Sequence, residues 1–238
     1  MTAAESLDRL LLLLLDDPDS DVDESTDLAE RLADCEDLSL VPALEAALDE
    51  ALAAGNFHAR DTVAGVLAGL TGPAALPVLL RASARDLGDD QDSLSAVLCD
   101  LFDEHPDAAR EAADPLLSDP DARLRAVAVW TLGFASHAED VDLLARTAAD
   151  PSEEVRAATA GSLGSLAAAH PQALDLLITL LADPHPQVRI DALSALGWSH
   201  RTRALPAVQS LANDPDERVR RWAAISADRL GAQRGDDQ

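Results

Sequence analysis

Lysine is absent from this chain of 238 residues, so all 18 of its cations are arginines, set against 44 Asp and Glu for a formal charge of −26. Tyrosine is also absent, and aromatics amount to 3 Trp and 3 Phe. Without lysine there is no P-loop and no Schiff-base amine. A charge this negative repels a phosphate backbone, so nucleic acid is excluded as a partner, and an anionic membrane surface with it. The shortage of aromatics argues against β-sheet, whose strands favour aromatic and β-branched residues. The two cysteines, Cys35 and Cys99, make no C-x-x-C and have no histidine at metal-binding spacing. Such scarcity suits a reducing cytoplasm and offers no disulfide framework. Also missing are a G-x-G-x-x-G, a G-x-S-x-G elbow and a supported Cys/His pair, so no enzyme, cofactor or metal site is expected. The apolar run Leu10–Leu15 is too short, and too closely flanked by acids, for a secretory signal. No other run approaches the ~18 apolar residues of a membrane span. Apolar residues are nonetheless 47% of the chain, enough for a folded core of Ala, Leu and Val, which favour packed helices.

What is present is a repeat. Asp119-Pro120, Asp150-Pro151, Asp183-Pro184 and Asp214-Pro215 recur at spacings of 31, 33 and 31 residues. Five positions after each Asp stands Leu124, Val155, Val188 or Val219, followed by Arg125, Arg156, Arg189 or Arg220. Leu-Gly pairs follow at 132–133, 163–164 and 196–197, with a fourth at 230–231 displaced by about one helical turn. Each Asp-Pro is expected to start a helix, Asp as N-cap and Pro at the first helical position, with Glu153 and Glu217 completing capping boxes. Each Leu-Gly is expected to end that helix through a left-handed glycine. Second helices follow over 141–147, 173–181 and 204–211. Such pairs cannot bury their apolar faces alone and must stack.

The D-P-x-x-x-[VL]-R-x-x-A pattern at Asp119–Ala128, Asp183–Ala192 and Asp214–Ala223 resembles HEAT repeats, specifically the short HEAT-like repeats of phycobilisome lyases; Thr159 is the departure in the remaining copy. That resemblance implies an all-α fold, a right-handed α-solenoid of antiparallel helix pairs. It also implies that Asp119, Asp150, Asp183 and Asp214 form a structural ladder with Arg125, Arg156, Arg189 and Arg220. The more degenerate half parses as a lone helix over 3–15 and helix pairs over 25–54, 56–84 and 93–117. One solenoid is therefore expected over 1–238, with degenerate acidic repeats to 118, regular ones over 119–231 and a tail after that.

Four histidines, His105, His137, His170 and His200, fall near the turns between paired helices, too far apart to share one ion. A HEAT-repeat di-iron hydroxylase family carries paired His-Glu motifs, and this chain has no His-Glu dipeptide. Asp19, Asp21, Asp23, Asp27 and Glu30 fit positions of a calcium loop, but Glu24 stands where an EF-hand needs glycine, so an acidic inter-helix loop with at most weak calcium binding is the simpler account. Phe134 and Trp198, equivalent positions just after Leu-Gly, serve either helix-end packing or as anchors for a partner.

Charge chooses the partner class. Residues 1–118 carry 27 acids and 6 arginines, net −21, whereas residues 119–238 carry 17 and 12, net −5. The acidic excess predicts a steering surface for a basic protein, with Asp86, Asp89, Asp90, Asp92, Asp103 and Glu104 as candidate contacts beside Phe134 and Trp198. The expected function is a cytoplasmic, non-catalytic scaffold, in its most concrete form an immunity or inhibitor protein against a cationic toxin. The lyase resemblance implies an alternative, a lyase- or chaperone-like protein assisting cofactor attachment to another protein. The arginine-only, Ala- and Asp-rich composition resembles that of GC-rich bacterial genomes.

Overall fold

A computed structural model describes residues 2–16, 22–85, 92–134 and 140–232, all helical or turn with no strand among them. The chain divides into two compact units, 1–112 and 113–238.

The first unit holds α1 (Ala3–Leu11), α2 (Val22–Ala33), α3 (Val41–Ala54), α4 (Phe57–Thr71), α5 (Leu76–Ser83), α6 (Asp92–Glu104) and α7 (Pro106–Ala113), the last ending at the unit boundary. Local chemistry sets the ends. Thr2 and Glu5 make a capping box at α1, the Glu5 amide donating to Thr2 Oγ1 (3.2 Å) and the Thr2 amide to Glu5 Oε2 (2.7 Å). Gly55, at φ 65°, closes α3 in the left-handed region, and Asn56 then caps α4 by accepting from the Ala59 amide at 3.0 Å. The Asn56 side-chain amide also donates to the Leu14 carbonyl at 2.9 Å, tying α4 to the end of the first helix. α2, α4 and α6 stack in order while α3 covers α4 and α5, burying Leu28, Leu48, Leu67 and Leu98.

Contrary to expectation, one stretch, Phe57–Ser83, has the length and composition of a membrane span. It folds as two helices, α4 and α5, broken at Gly72 (φ 55°) and Pro73, with Val63, Leu67, Leu76 and Leu80 buried inside the unit. The acidic inter-helix segment is helical in its second half. α2 runs unbroken from Val22, so Asp23, Asp27 and Glu30 are helical, and Glu24 is held by Arg9 at 2.7 and 2.8 Å. Asp19 and Asp21 lie outside the described residues.

Both cysteines are free and partly buried. Burial pushes the Cys99 thiol upward, helped by the charges of Asp103 and Asp100. Cys99 should therefore alkylate with iodoacetamide several-fold more slowly than glutathione at about pH 7.5, which mass spectrometry of the modified peptide would measure.

The second unit holds α8 (Ala122–Phe134), α9 (Val141–Thr147), α10 (Glu153–Ala167), α11 (Pro171–Leu180), α12 (Pro186–Trp198), α13 (Leu205–Ser210) and α14 (Glu217–Ala232). The first helices stack as α8–α10–α12–α14, and α9, α11 and α13 pack along them. Two details differ from expectation. The repeated Asp is not the N-cap. Asp119 and Asp214 are extended, as a residue before proline must be, and each helix starts three residues later. The cap role falls to Asp121, Ser152 and Asp216, which accept from the amides of Arg123, Glu154 and Arg218 at 2.7–3.2 Å. Glu153 and Glu217 are then first helical residues and complete no capping box.

The Leu-Gly glycines do not end helices either. Gly133, Gly164 and Gly197 lie inside α8, α10 and α12, where a Cβ would fall 2.6 Å from Ser162 Oγ, 3.2 Å from Ala195 Cβ and 3.0 Å from Ser226 Oγ, each on the next helix of the stack. Their task is close approach. Ser162 and Ser226, both buried, donate across these contacts to the carbonyls of Val129 (2.9 Å) and Leu193 (2.7 Å). At Gly231, on the last helix, a Cβ would meet nothing.

Candidate binding face

With the Asp released from capping, its carboxylate serves two partners. One oxygen closes a turn, accepting from the amide two residues on: Asp121, Ser152, His185 and Asp216 donate to Asp119, Asp150, Asp183 and Asp214 at 2.8–2.9 Å. The same carboxylates of Asp150, Asp183 and Asp214 receive the arginine of the preceding repeat. Arg125 binds Asp150 bidentately at 2.9 Å, Arg156 binds Asp183 at 2.7 and 3.0 Å, and Arg189 reaches Asp214 through one nitrogen at 2.8 Å. Each guanidinium also donates backwards to the carbonyls of its own Asp-Pro, at 2.9 and 3.2 Å for Arg156. Arg220, on α14, keeps only this backward half among the described residues.

The ladder is polarised accordingly. The Arg125 guanidinium holds the Asp150 carboxyl below its ordinary value. At Asp183 and Asp214 burial is the largest influence and pushes upward, but arginine and the backbone amide together outweigh it and the net direction is down. A lowered native pKa contributes stability that is complete above the unfolded value near ~4 and is lost as pH falls through the native value. The stability difference between the wild type and Arg156→Ala should thus be largest at neutral pH and shrink on acidification, as urea melts at a series of pH values would show.

The outer face of the first-helix stack is different in character. Aligning the repeats on their Asp places Trp130, Gly161, Ser194 and Ile225 in one row, and Phe134, Ser165, Trp198 and Arg229 in the next. Phe134 is 49% exposed and Trp198 61%. Trp130 meets Phe134 edge to face with centroids 5.1 Å apart, and the Arg229 guanidinium lies 4.1 Å from the centre of the Trp198 ring. Neither Phe134 nor Trp198 is buried by helix-end packing. Between α10 and α12 the small residues leave an open cleft of about 310 Å³, bounded by Gly161, Ser165, Asp191, Ser194 and Trp198.

Of the acidic candidates, Asp103 and Glu104 close α6 and are both exposed, with Glu104 4.0 Å from His105. Asp92 is the first residue of α6, and Asp86, Asp89 and Asp90 lie outside the described residues. His105 and His170 stand just before the prolines that open α7 and α11, and His137 lies outside the described residues. No group of three metal-ligating side chains forms among the described residues. The basic cluster around Trp198 separates in space: His200, Arg201 and Arg203 line a hollow of about 520 Å³ against Ala167 and Pro171, with Arg203 bound to Asp175 at 2.7 Å.

The repeat unit, stacked through an Asp–Arg ladder, matches a known sequence model. The model for HEAT repeats covers residues 111–197 and 175–237, more than half of the chain. The chain belongs to the HEAT-repeat family. No curated protein matches it by sequence. Among solved structures, a Kap121p mutant shares the fold at TM-score 0.66 and 15% identity over 95% of this chain and 30% of its own. Human deoxyhypusine hydroxylase aligns at TM-score 0.44 and 20% identity over 97% of both chains, and an engineered protein at 0.49 and 17% over 98% of both. The phycobilisome-lyase type is not distinguished by these matches. HEAT repeats form a scaffold for binding protein, and the ladder and the outer face occupy opposite roles in it: the first holds repeats together, the second remains uncovered.

Sequence reasoning passed over Asp191. Its place in the repeat is occupied elsewhere by Val127, Ala158 and Trp222, so one carboxylate in an otherwise apolar row was the available signal.

Proposed function

We propose that this HEAT-repeat protein is a non-catalytic scaffold of the cytoplasm that captures a basic protein, in its most concrete form an immunity or inhibitor protein against a cationic toxin. The observation that carries this reading is the uncompensated charge of the first 118 residues, net −21. Three of the six arginines there are committed internally: Arg9 to Glu24, Arg60 to Asp61 and Arg85 to Asp49, at 2.6–2.7 Å. The acidic excess sets up a negative field that accelerates encounter with a cationic surface. Exposed aromatics on the second unit supply the apolar anchors that charge alone lacks.

The immobilised protein should retain one dominant basic protein from its host at low salt, and the affinity should fall steeply as salt rises. A neutral or acidic partner, or salt-independent binding, overturns the proposal. For the inhibitor form, co-expression should relieve the toxicity of the captured protein, and unrelieved toxicity removes that form.

A further inference from the structure

The cleft between α10 and α12 contains a carboxylate that no cation touches directly among the described residues. Asp191 is partly buried there, and its Oδ1 accepts from the Gln187 side-chain amide at 3.0 Å. Gln187 in turn accepts from Arg218 at 2.6 Å, so the nearest cation of α14 reaches Asp191 only through an amide. The facing positions of α10, Ala158, Gly161 and Ser165, carry no charge, and the other cation of α14 on this face, Arg229, lies over the Trp198 ring with its Nη1 buried and unbonded among the described residues. The ladder carboxylates of the same stack, Asp150, Asp183 and Asp214, each have an arginine in direct contact. Asp191 has none among the described residues. Burial pushes its carboxyl upward, against weaker opposing influences from Gln187 and Arg218. A raised native pKa means that stability is lost as pH climbs from the ordinary aspartate value through the raised one, so the charge is carried at a cost to the fold.

The cleft beside this carboxylate is walled by the Trp198 indole, and Arg229 already demonstrates that this indole accepts a guanidinium. We propose that the cleft receives one arginine side chain of the partner, its guanidinium donating to the Asp191 carboxylate and stacking on the Trp198 ring. The assignment rests on the reading of the chain as a scaffold for a basic protein, and narrows it to one residue type at one place. Arginine is favoured over lysine because a planar fork can bond a carboxylate and stack on an aromatic at once, whereas an ammonium is a strongly hydrated point charge. A metal ion is disfavoured by a single carboxylate without further oxygen ligands.

The test uses the full chain and N-acetyl-arginine amide, with the citrulline and lysine equivalents as comparisons. The indole N–H signal of Trp198, assigned with Trp198→Phe, is followed by NMR as each compound is added. The arginine compound should shift it saturably, the citrulline compound should leave it unmoved, and the lysine compound should bind several-fold more weakly. Asp191→Asn should weaken arginine binding about tenfold or more, while Glu217→Gln, at the exposed start of α14, should not. Because Asp191→Asn keeps the Gln187 bond and removes a desolvated charge, its melting temperature should equal or exceed that of the wild type. Equal binding of citrulline or lysine, or full binding by a folded Asp191→Asn, overturns the assignment. Capture of a basic protein that survives Asp191→Asn but is lost on neutralising Asp103 and Glu104 would leave the scaffold function standing and remove the arginine cleft alone.

Discussion

Arg156→Ala is expected to lower the stability of the second unit by about 3–5 kcal/mol, the cost of removing one partner from a buried ion pair. Both members are well covered, Arg156 at 14% and Asp183 at 6% side-chain exposure. Truncation strands the Asp183 carboxylate, which retains only the His185 amide, and leaves the carbonyls of Asp150 and Pro151 without their donor. Removing the other partner more gently separates the contributions. Asp183→Asn keeps an oxygen for the His185 turn and loses the charge, so it should cost about 1–3 kcal/mol. Arg220→Ala should cost about 1 kcal/mol, because among the described residues that arginine reaches two carbonyls and no following carboxylate. Urea denaturation of the three variants, followed by far-UV circular dichroism, gives the order directly. Equal losses for Arg156→Ala and Arg220→Ala would show that the inter-repeat carboxylate contributes nothing and would sink the ladder as the link between repeats.

Gly133→Ala is expected to destabilise by about 1–3 kcal/mol, although alanine is the better helix former. The new methyl would fall 2.6 Å from Ser162 Oγ and 3.1 Å from its Cα, so a side-chain rotation cannot clear it and α8 must move away from α10. That movement stretches the 2.9 Å bond from Ser162 to the Val129 carbonyl, a buried pair with no water to replace it. Gly161→Ala is the internal control. It lies on the exposed side of α10 with nothing within 4 Å of a Cβ, so only the helix propensity changes and stability should rise by up to ~1 kcal/mol. Opposite signs for two Gly→Ala changes in the same stack can be measured by thermal melting. A gain for both would mean that the helices have room to spare and that Gly133 is not a contact residue.

These two variants also mark the boundary between what the letters disclose and what they conceal. The recurring Asp-Pro, the Val-Arg after it and the small residues at fixed offsets identify a stacked helix pair, because each recurrence repeats the same backbone environment. Second helices such as Val141–Thr147 follow from apolar spacing alone. Roles were harder to recover than positions. Asp before Pro and Gly after Leu have ordinary local uses, capping and termination, and local statistics favour those uses. In the folded stack the Asp carboxylate finds a better partner in the arginine of the neighbouring repeat, and the cap passes to the residue two places on. The glycines sit at the crossing of neighbouring helices, a location with no signature within one helix. The sequence by itself determined a helical repeat, its register and its acidic imbalance, since these depend on composition and period. Only tertiary structure decided that Trp198 and Phe134 stay uncovered and that Asp191 is bonded by Gln187 and touched by no arginine among the described residues. Exposure and charge compensation are set by which helix packs alongside, and that neighbour lies some thirty residues away in the chain.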